Sequence, residues 1–113
     1  MTDWDDVVVT RAENAIVISL RGEHDLATTP RIQGAYDAAR GEQPIVFDLT
    51  EATFIDSSVI GILLSAARQG APVAVVAPSG GPPARLIAVL GVDGVVSAHE
   101  TREDALRATS GSG

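Results

Sequence analysis

Short β-branched runs alternate along the chain with segments in which apolar residues recur at helical spacing. The first two runs, Val7–Val9 and Ala15–Leu20, are separated by a polar turn, and this spacing predicts a hairpin. Two continuous apolar runs further on, Ile45–Leu49 and Val73–Ala77, are typical of strands that are covered on both faces. Val95–Ala98 is predicted to form a last short strand.

Four segments carry the pattern of amphipathic helices. In the first, Pro30 fits the opening turn, which Thr28 or Thr29 caps. Gly41 is predicted to end this helix, because glycine is common directly after a helix. The other three helices each follow a strand, and their predicted positions are Asp56–Gln69, Pro82–Leu90 and a closing helix that begins at Thr101.

The resulting order, β-β-α-β-α-β-α-β-α, predicts an α/β fold. An N-terminal hairpin followed by alternating helices and strands gives a mixed sheet whose parallel strands are joined by right-handed crossovers, with the helices mainly on one face. Residues 1–109 are predicted to form a single domain, and residues 110–113, Ser-Gly-Ser-Gly, a flexible tail. Trp4, in the acidic start of the chain, is expected to pack over the sheet edge.

Composition removes several chemistries from consideration. The chain contains no Cys, and its eight basic residues are all Arg, which excludes thiolate nucleophiles, Schiff-base lysines and the P-loop lysine. Two His residues offer little for a metal site, and neither a metal nor a cofactor is expected. The net charge of −7 argues against direct binding to nucleic acid, and no apolar stretch predicts membrane insertion. A cytoplasmic protein is expected.

Candidate chemistry is concentrated where Asp56, Ser57 and Ser58 precede an apolar helix. The unpaired N–H groups and the dipole at a helix N-terminus favour negative charge, so Asp56 or Ser57 can cap the helix and a phosphate on Ser57 would be tolerated. Such a phosphate adds a charge of about −1.5 to −2. Phe54 and Ile55 are expected to anchor the loop in front of it. The same pattern also fits an ordinary helix cap.

Two further groups of residues have enzymatic or signalling interpretations. Asp48 ends a buried strand, as the phosphoacceptor aspartate of response regulators does, but the lysine of those proteins is missing and Asp48 is expected to cap the following turn. Ser57 or Ser58 with His99 would supply a nucleophile and a base, but the chain lacks a G-x-S-x-G elbow. The sequence therefore predicts a binding protein and not an enzyme.

The segment around the two serines resembles the signature of the STAS domain, the fold of anti-sigma factor antagonists. That signature is an apolar pair, Asp, Ser, Ser or Thr, Gly, an aliphatic residue and Gly, and residues 54–61, Phe-Ile-Asp-Ser-Ser-Val-Ile-Gly, match it at all but one position. Arg21–Asp25 resembles the family's G-E-aliphatic-D loop, and Ile45–Leu49 resembles its central strand. Similar motifs continue in register to the closing helix, so the resemblance covers nearly the whole chain.

The resemblance implies an anti-sigma factor antagonist that regulates transcription and is switched by phosphorylation at Ser57, with Ser58 as the less favoured target. In the family, an anti-sigma factor that is also a serine kinase binds the unphosphorylated antagonist and frees the sigma factor. The phosphorylated form is released, and a phosphatase resets it. The resemblance thereby assigns a partner-binding surface to Asp56, Ser57, Ser58, Glu23, His24 and Asp25.

Two positions depart from the family pattern. Val59 stands where the signature has Gly, and a β-branched residue stiffens the first helical turn. His24 replaces an aliphatic residue of the family pattern, and we expect it to lie exposed in its loop. The alternative is a STAS scaffold subunit of a signalling assembly, or a cytoplasmic partner of a lipid or anion transporter, in which Ser57 and Ser58 are plain cap residues.

Overall fold

The computed structural model describes residues 6–12, 14–41, 43–69 and 72–109 of the 113-residue chain. The predictions for Trp4 and for the tail 110–113 lie outside these residues. The helices and strands, in chain order, are β1 (Asp6–Arg11), β2 (Ile16–His24), α1 (Thr29–Ala39), β3 (Ile45–Asp48), β4 (Ala52–Ile55), α2 (Ser57–Ala67), β5 (Val73–Val76), α3 (Pro82–Leu90), β6 (Ala98–His99) and α4 (Arg102–Thr109).

The strands form a mixed sheet in the order β1-β2-β3-β5-β6, with β4 paired to β2 off this path, and the predicted mixed sheet is confirmed. β1 and β2 are the antiparallel hairpin, and the neighbouring strands from β2 to β6 pair in parallel. The predicted last strand was displaced: residues 98–99 form β6, whereas the N–H groups of Val95 and Val96 bond to the carbonyl of Val92 in a turn. Val96 is buried there without belonging to the sheet.

A strand that the sequence pattern did not predict, β4, lies beside the end of β2. After β3 the chain turns where Asp48 accepts hydrogen bonds from the N–H and the hydroxyl of Thr50, so the predicted cap by Asp48 is confirmed. β4 then pairs in parallel with Gly22–His24, across an irregularity in β2 at which Gly22 has a φ of 82°. A positive φ favours glycine. β4 carries the chain directly to the start of α2.

Helices cover both faces of the sheet, three on one and one on the other. α1, α2 and α3 enclose the larger core, in which the rings of Tyr36 and Phe47 stack with centroids 6.0 Å apart. α4 covers the opposite face, where Ala105 packs with Val17, Val46 and other small residues. The expectation that the helices lie mainly on one face is thus confirmed, with α4 as the exception.

An ion pair attaches the start of α4 to the sheet. Nε and Nη2 of Arg102 donate to Oδ2 of Asp48 at 3.0 and 2.8 Å, and Nη2 also lies 3.4 Å from the hydroxyl of Ser19. Burial alone would raise the pKa of Asp48, but hydrogen bonds from Thr50 and the Arg102 guanidinium outweigh it and lower the pKa. No local pattern predicts this pair, because its residues are 54 positions apart in the chain.

Candidate functional site

Asp56 is the N-cap of α2. Its backbone is extended, and Oδ1 accepts hydrogen bonds from the N–H of Ser58 at 3.0 Å, the N–H of Val59 at 3.4 Å and the hydroxyl of Ser58. Capping of this kind stabilises a helix by about 1 kcal/mol. The predicted cap is confirmed for Asp56, whereas Ser57 is the first helical residue and not the cap.

The two serines of the site have different surroundings. Ser58 is half-buried, and its hydroxyl donates to the Asp56 carboxylate. Ser57 is exposed, and within the described part of the chain its hydroxyl has no hydrogen-bond partner. The Ser57 hydroxyl is therefore more accessible from solution than the Ser58 hydroxyl, and a reaction at Ser57 does not require the cap of α2 to break.

The rest of α2 holds this N-terminus firmly on the sheet. Val59, Ile60, Leu63 and Ala66 are buried in the larger core, so the valine in place of the signature's glycine is a core residue. Its branched side chain points into the core from the first turn of α2 and is fully buried. The sequence pattern predicts an apolar face of Val59, Ile60, Leu63, Leu64 and Ala67. The first three of these are buried, whereas Leu64 and Ala67 are half-buried and Ile62 and Ala66 are buried in addition.

The loop in front of α2 is anchored differently from the prediction. Ile55 is buried at 5% exposure, as expected, but Phe54 is 48% exposed. Successive residues of a strand point to opposite sides, so when Ile55 enters the core, Phe54 must face solvent. The expectation that both residues anchor the loop was wrong for Phe54, which instead adds an apolar side chain to the surface near the site.

The loop between β2 and α1 lies next to the start of α2. Glu23 pairs with Phe54 across β2 and β4, and the chain after β2 then runs beside the chain after β4. Glu23 and Asp25 are exposed. Leu26, which the sequence analysis did not single out, is 72% exposed, and its backbone N–H interacts with Asp56. The two segments that carry the predicted partner residues therefore meet at one edge of the sheet.

His24 is buried, which contradicts the expectation of an exposed loop histidine. Its side chain has 0% exposure. It is the last residue of β2 and pairs with Ile55 of β4, whose side chain is also buried. Its ring makes two hydrogen bonds, to Thr28 and to the carbonyl of Arg21. His24 therefore presents no surface for a partner to touch in this conformation.

A shallow groove between α1 and α2 opens beside Ser58. It was not predicted, because its residues come from three segments and no local pattern joins them. Its lining is mixed polar and apolar: Leu26, Thr29, Pro30, Gln33, Ser58, Gly61, Ile62 and Ser65. Together with the exposed Leu26, it gives the site an apolar component next to the serines.

The electrostatics of the site are acidic. The Ser58 hydroxyl, followed by the N–H groups of Val59, Ser58 and Leu26, lowers the pKa of Asp56 despite some desolvation, so this carboxylate is ionised at neutral pH. Glu23 and Asp25 lie exposed on the neighbouring loop. A basic partner surface would complement this edge.

The other sequence-based candidates do not join the site. His99 lies on β6, at the opposite edge of the sheet from β1, and its Nε2 is 2.8 Å from the hydroxyl of Ser97. Among the described residues, no group of three His, Asp or Glu side chains could hold a metal ion. No helix in the described ranges is both long and apolar enough to span a bilayer.

The fold and this site define a STAS domain. The family model described as Mlab, STAS domain matches residues 7–97, and the chain belongs to that family. Among solved structures, an anti-sigma factor antagonist from Mycobacterium paratuberculosis is 27% identical, with a TM-score of 0.85 over 94% of both chains. No curated protein matches the chain.

Structures of SpoIIAA show the same fold in two states. The anti-sigma factor antagonist SpoIIAA in its unphosphorylated form is 21% identical, with a TM-score of 0.71 over 89% of this chain and 93% of that one. The Bacillus cell fate determinant SpoIIAA in its phosphorylated form is 22% identical, with a TM-score of 0.66 over 90% of this chain and 97% of that one. At these identities the likeness concerns the fold.

Proposed function

We propose that this protein is an anti-sigma factor antagonist of the cytoplasm, a binding module switched by phosphorylation at Ser57. Unphosphorylated, it binds an anti-sigma factor that has serine kinase activity, and so regulates transcription by freeing the sigma factor. Phosphorylated, it releases that partner, and a phosphatase resets it. The protein is a substrate of the kinase and not itself an enzyme. The observation that carries the proposal is the exposed Ser57 hydroxyl at the start of a helix capped independently by Asp56.

The different hydrogen bonding of the two serines supports Ser57 as the target. Phosphate on Ser58 would have to displace the hydrogen bond between that hydroxyl and Asp56. Phosphate on Ser57 leaves the cap intact and lies at the positive end of the α2 dipole. The fold therefore tolerates the modification at Ser57.

The change in charge accounts for release of the partner. A phosphate adds about −1.5 to −2 charge beside Asp56, Glu23 and Asp25, on a chain whose net charge is already −7. A partner surface shaped to the neutral hydroxyl would have to bury this dianion, and unpaired charges at an interface cost several kcal/mol. The same surface can thus bind strongly in one state and weakly in the other.

The test is phosphorylation of the purified protein by candidate anti-sigma kinases with ATP, with the modified residue located by mass spectrometry. Wild type, Ser57→Ala and the matched control Ser58→Ala are compared. We expect phosphate on Ser57 in wild type and in Ser58→Ala, and none in Ser57→Ala. Binding of wild type and of Ser58→Ala to the kinase, measured by calorimetry, is expected to weaken roughly 30-fold or more after phosphorylation, which corresponds to about 2 kcal/mol, whereas binding of Ser57→Ala should not change on treatment with ATP.

Phosphate on Ser58 alone would retain the switch but move its site by one residue. A second candidate function, a scaffold subunit or a cytoplasmic partner of a lipid or anion transporter, is favoured by Val59 in place of the signature's glycine. If no kinase modifies the chain and Ser57→Asp binds its partner as wild type does, the switch is absent and this second function replaces the first.

A further inference from the structure

The ring of His24 forms hydrogen bonds to Arg21 of β2 and to Thr28, which directly precedes α1. Nε2 lies 2.8 Å from the carbonyl oxygen of Arg21, and since a carbonyl only accepts, Nε2 carries the hydrogen and donates it. Nδ1 lies 3.0 Å from the hydroxyl of Thr28. Arg21 precedes the irregularity in β2, and Thr28 is the N-cap residue of α1. The ring therefore bridges the end of a strand and the start of a helix.

Between those two positions lies a tight turn, residues 25–28, which we call the site loop. The N–H of Thr28 donates to the carbonyl of Asp25 at 3.0 Å, and the N–H of Asp25 lies 3.2 Å from the Thr28 hydroxyl. The Asp25 carboxylate accepts from the N–H of Ala27 at 2.9 Å. The Thr28 hydroxyl that closes this turn is thus the same group that contacts the His24 ring.

The site loop has little apolar burial of its own to fix it. Asp25, Leu26 and Ala27 are exposed, and Leu26 leaves 72% of its surface in water. Segments with few buried contacts open with low free energy. The conformation of this loop therefore depends on the hydrogen bonds at its base, and His24 is the fully buried residue at that base.

We propose that His24 is a positioning residue: by bridging Arg21 and Thr28 it holds the site loop so that Asp25 and Leu26 face the partner beside Ser57. The inference deepens the proposed function and rests on it for the identity of the partner. An aliphatic residue at position 24 would fill the same space, but it would leave the Arg21 carbonyl and the Thr28 hydroxyl without the ring. His24 therefore holds the two ends of the loop by hydrogen bonds, which have a fixed direction, where an aliphatic residue would hold them by packing only.

The order of the loop also reaches the cap of α2. The backbone N–H of Leu26 interacts with the Asp56 carboxylate, which in turn binds the N–H groups of Ser58 and Val59. A displaced site loop would remove the contribution of this N–H to the low pKa of Asp56, while the two hydrogen-bond donors of α2 remain. Loss of the His24 bridge is therefore expected to change the partner surface and to leave α2 folded.

Three substitutions separate the two functions of the ring. His24→Leu removes both hydrogen bonds and retains an apolar side chain. His24→Gln keeps a side-chain N–H donor near the position of Nε2, so it can still bond the Arg21 carbonyl. Thr28→Val removes the hydroxyl at the other end of the bridge with little change in shape. The double variant of His24→Leu with Thr28→Val tests whether the two residues act as one unit.

Each variant is measured in two ways, first without any partner. Amide hydrogen exchange in the site loop is expected to accelerate about tenfold in His24→Leu, with exchange in α2 and β3 unchanged, since local opening need not reach the core. The dissociation constant for an anti-sigma kinase is then expected to rise about tenfold, and KM for phosphorylation of Ser57 to rise more than kcat falls. His24→Gln should recover part of both effects, and the double variant should match the worse single one.

Normal loop exchange in His24→Leu would overturn the proposal, as would faster exchange with unchanged partner affinity. If His24→Leu does not fold, His24→Gln provides the comparison, because it loses the contact with Thr28 and leaves intact the bonds by which the Thr28 hydroxyl closes the turn. Failure of the proposed function is recognised separately, because wild type would then bind no anti-sigma kinase while the exchange measurement still decides whether His24 orders the loop.

Discussion

The two faces of the sheet are held by different interactions. On the face covered by α1, α2 and α3 the buried residues are large, and Phe47 stacks on Tyr36. On the other face the eight-residue helix α4 covers smaller side chains such as Val46, and the ion pair of Asp48 with Arg102 attaches its first turn. Since hydrophobic stabilisation grows with the apolar area buried, the three-helix face contributes most of the stability.

This difference has a consequence for the proposed switch. α2 belongs to the strongly packed face, and five of its residues are buried in the core: Val59, Ile60, Ile62, Leu63 and Ala66. A phosphate at Ser57 can then alter the charge of the surface without altering the fold beneath it. The face that depends on a charge pair lies on the opposite side of the sheet, away from the modified residue.

Removing a large side chain from the three-helix face is expected to have the largest effect. Phe47→Ala should lower the free energy of unfolding by about 3–5 kcal/mol, because Phe47 is fully buried and its neighbours cannot close the cavity. The chain's other phenylalanine supplies the control: Phe54 is 48% exposed, and Phe54→Ala should cost less than about 1 kcal/mol. Urea denaturation measures both, and equal losses would contradict the burial of Phe47.

Two adjacent valines allow a matched comparison of the faces. Val75 and Val76 follow one another in β5, are both buried and point to opposite sides, Val75 into the larger core and Val76 toward α4. We expect Val75→Ala to cost about 2–3 kcal/mol and Val76→Ala about 1–2 kcal/mol, since α4 can settle into the smaller space.

The same denaturation experiment measures this pair, and each variant serves as the control for the other. A larger loss for Val76→Ala would mean that α4 is held as rigidly as the three-helix face. The comparison between the two faces would then have to be abandoned.

Periodicity predicted the elements that repeat a pattern over several turns or a whole buried strand. The helices begin where Pro30, Asp56 and Pro82 indicated, because caps and first-turn prolines act locally. β4 was missed because four residues give too short an alternation to recognise. The Val95–Val96 pair was assigned to a strand since a buried valine in a turn carries the same apolar signal as one in a sheet.

The sequence predicted the cap of α2 at the candidate site but not the tertiary contacts that support the surrounding residues. Asp56 and its role as the cap follow from residue type and position. His24 is buried at the point where β2 pairs with the unpredicted strand β4, and the pairing of Asp48 with Arg102 joins positions far apart in sequence. Such contacts are products of the tertiary fold, and no local pattern encodes them.

The smallest effect is expected from the ion pair on the α4 face, which should make the stability of the protein fall at acid pH. The folded-state pKa of Asp48 is lowered, because hydrogen bonds from Thr50 and Arg102 outweigh the effect of burial. An unfolded chain has an aspartate pKa of about 3.9. The stabilising contribution is therefore fully present above that value and is lost as the pH falls through it toward the folded-state pKa.

Thermal unfolding between neutral pH and about pH 3 measures this contribution against the reference pKa of an unfolded aspartate. We expect Asp48→Asn to lose less stability over this range than wild type, by about 1 kcal/mol or less, because Arg102 is partly exposed and its attraction is screened. Asp37→Asn, on the exposed side of α1, is the matched control and should follow wild type. Because the pKa of Asp56 is also lowered, some loss of stability with falling pH remains in every variant. If Asp48→Asn also follows wild type through the acid range, the ion pair is not what distinguishes the α4 face, and small apolar contacts alone hold that helix.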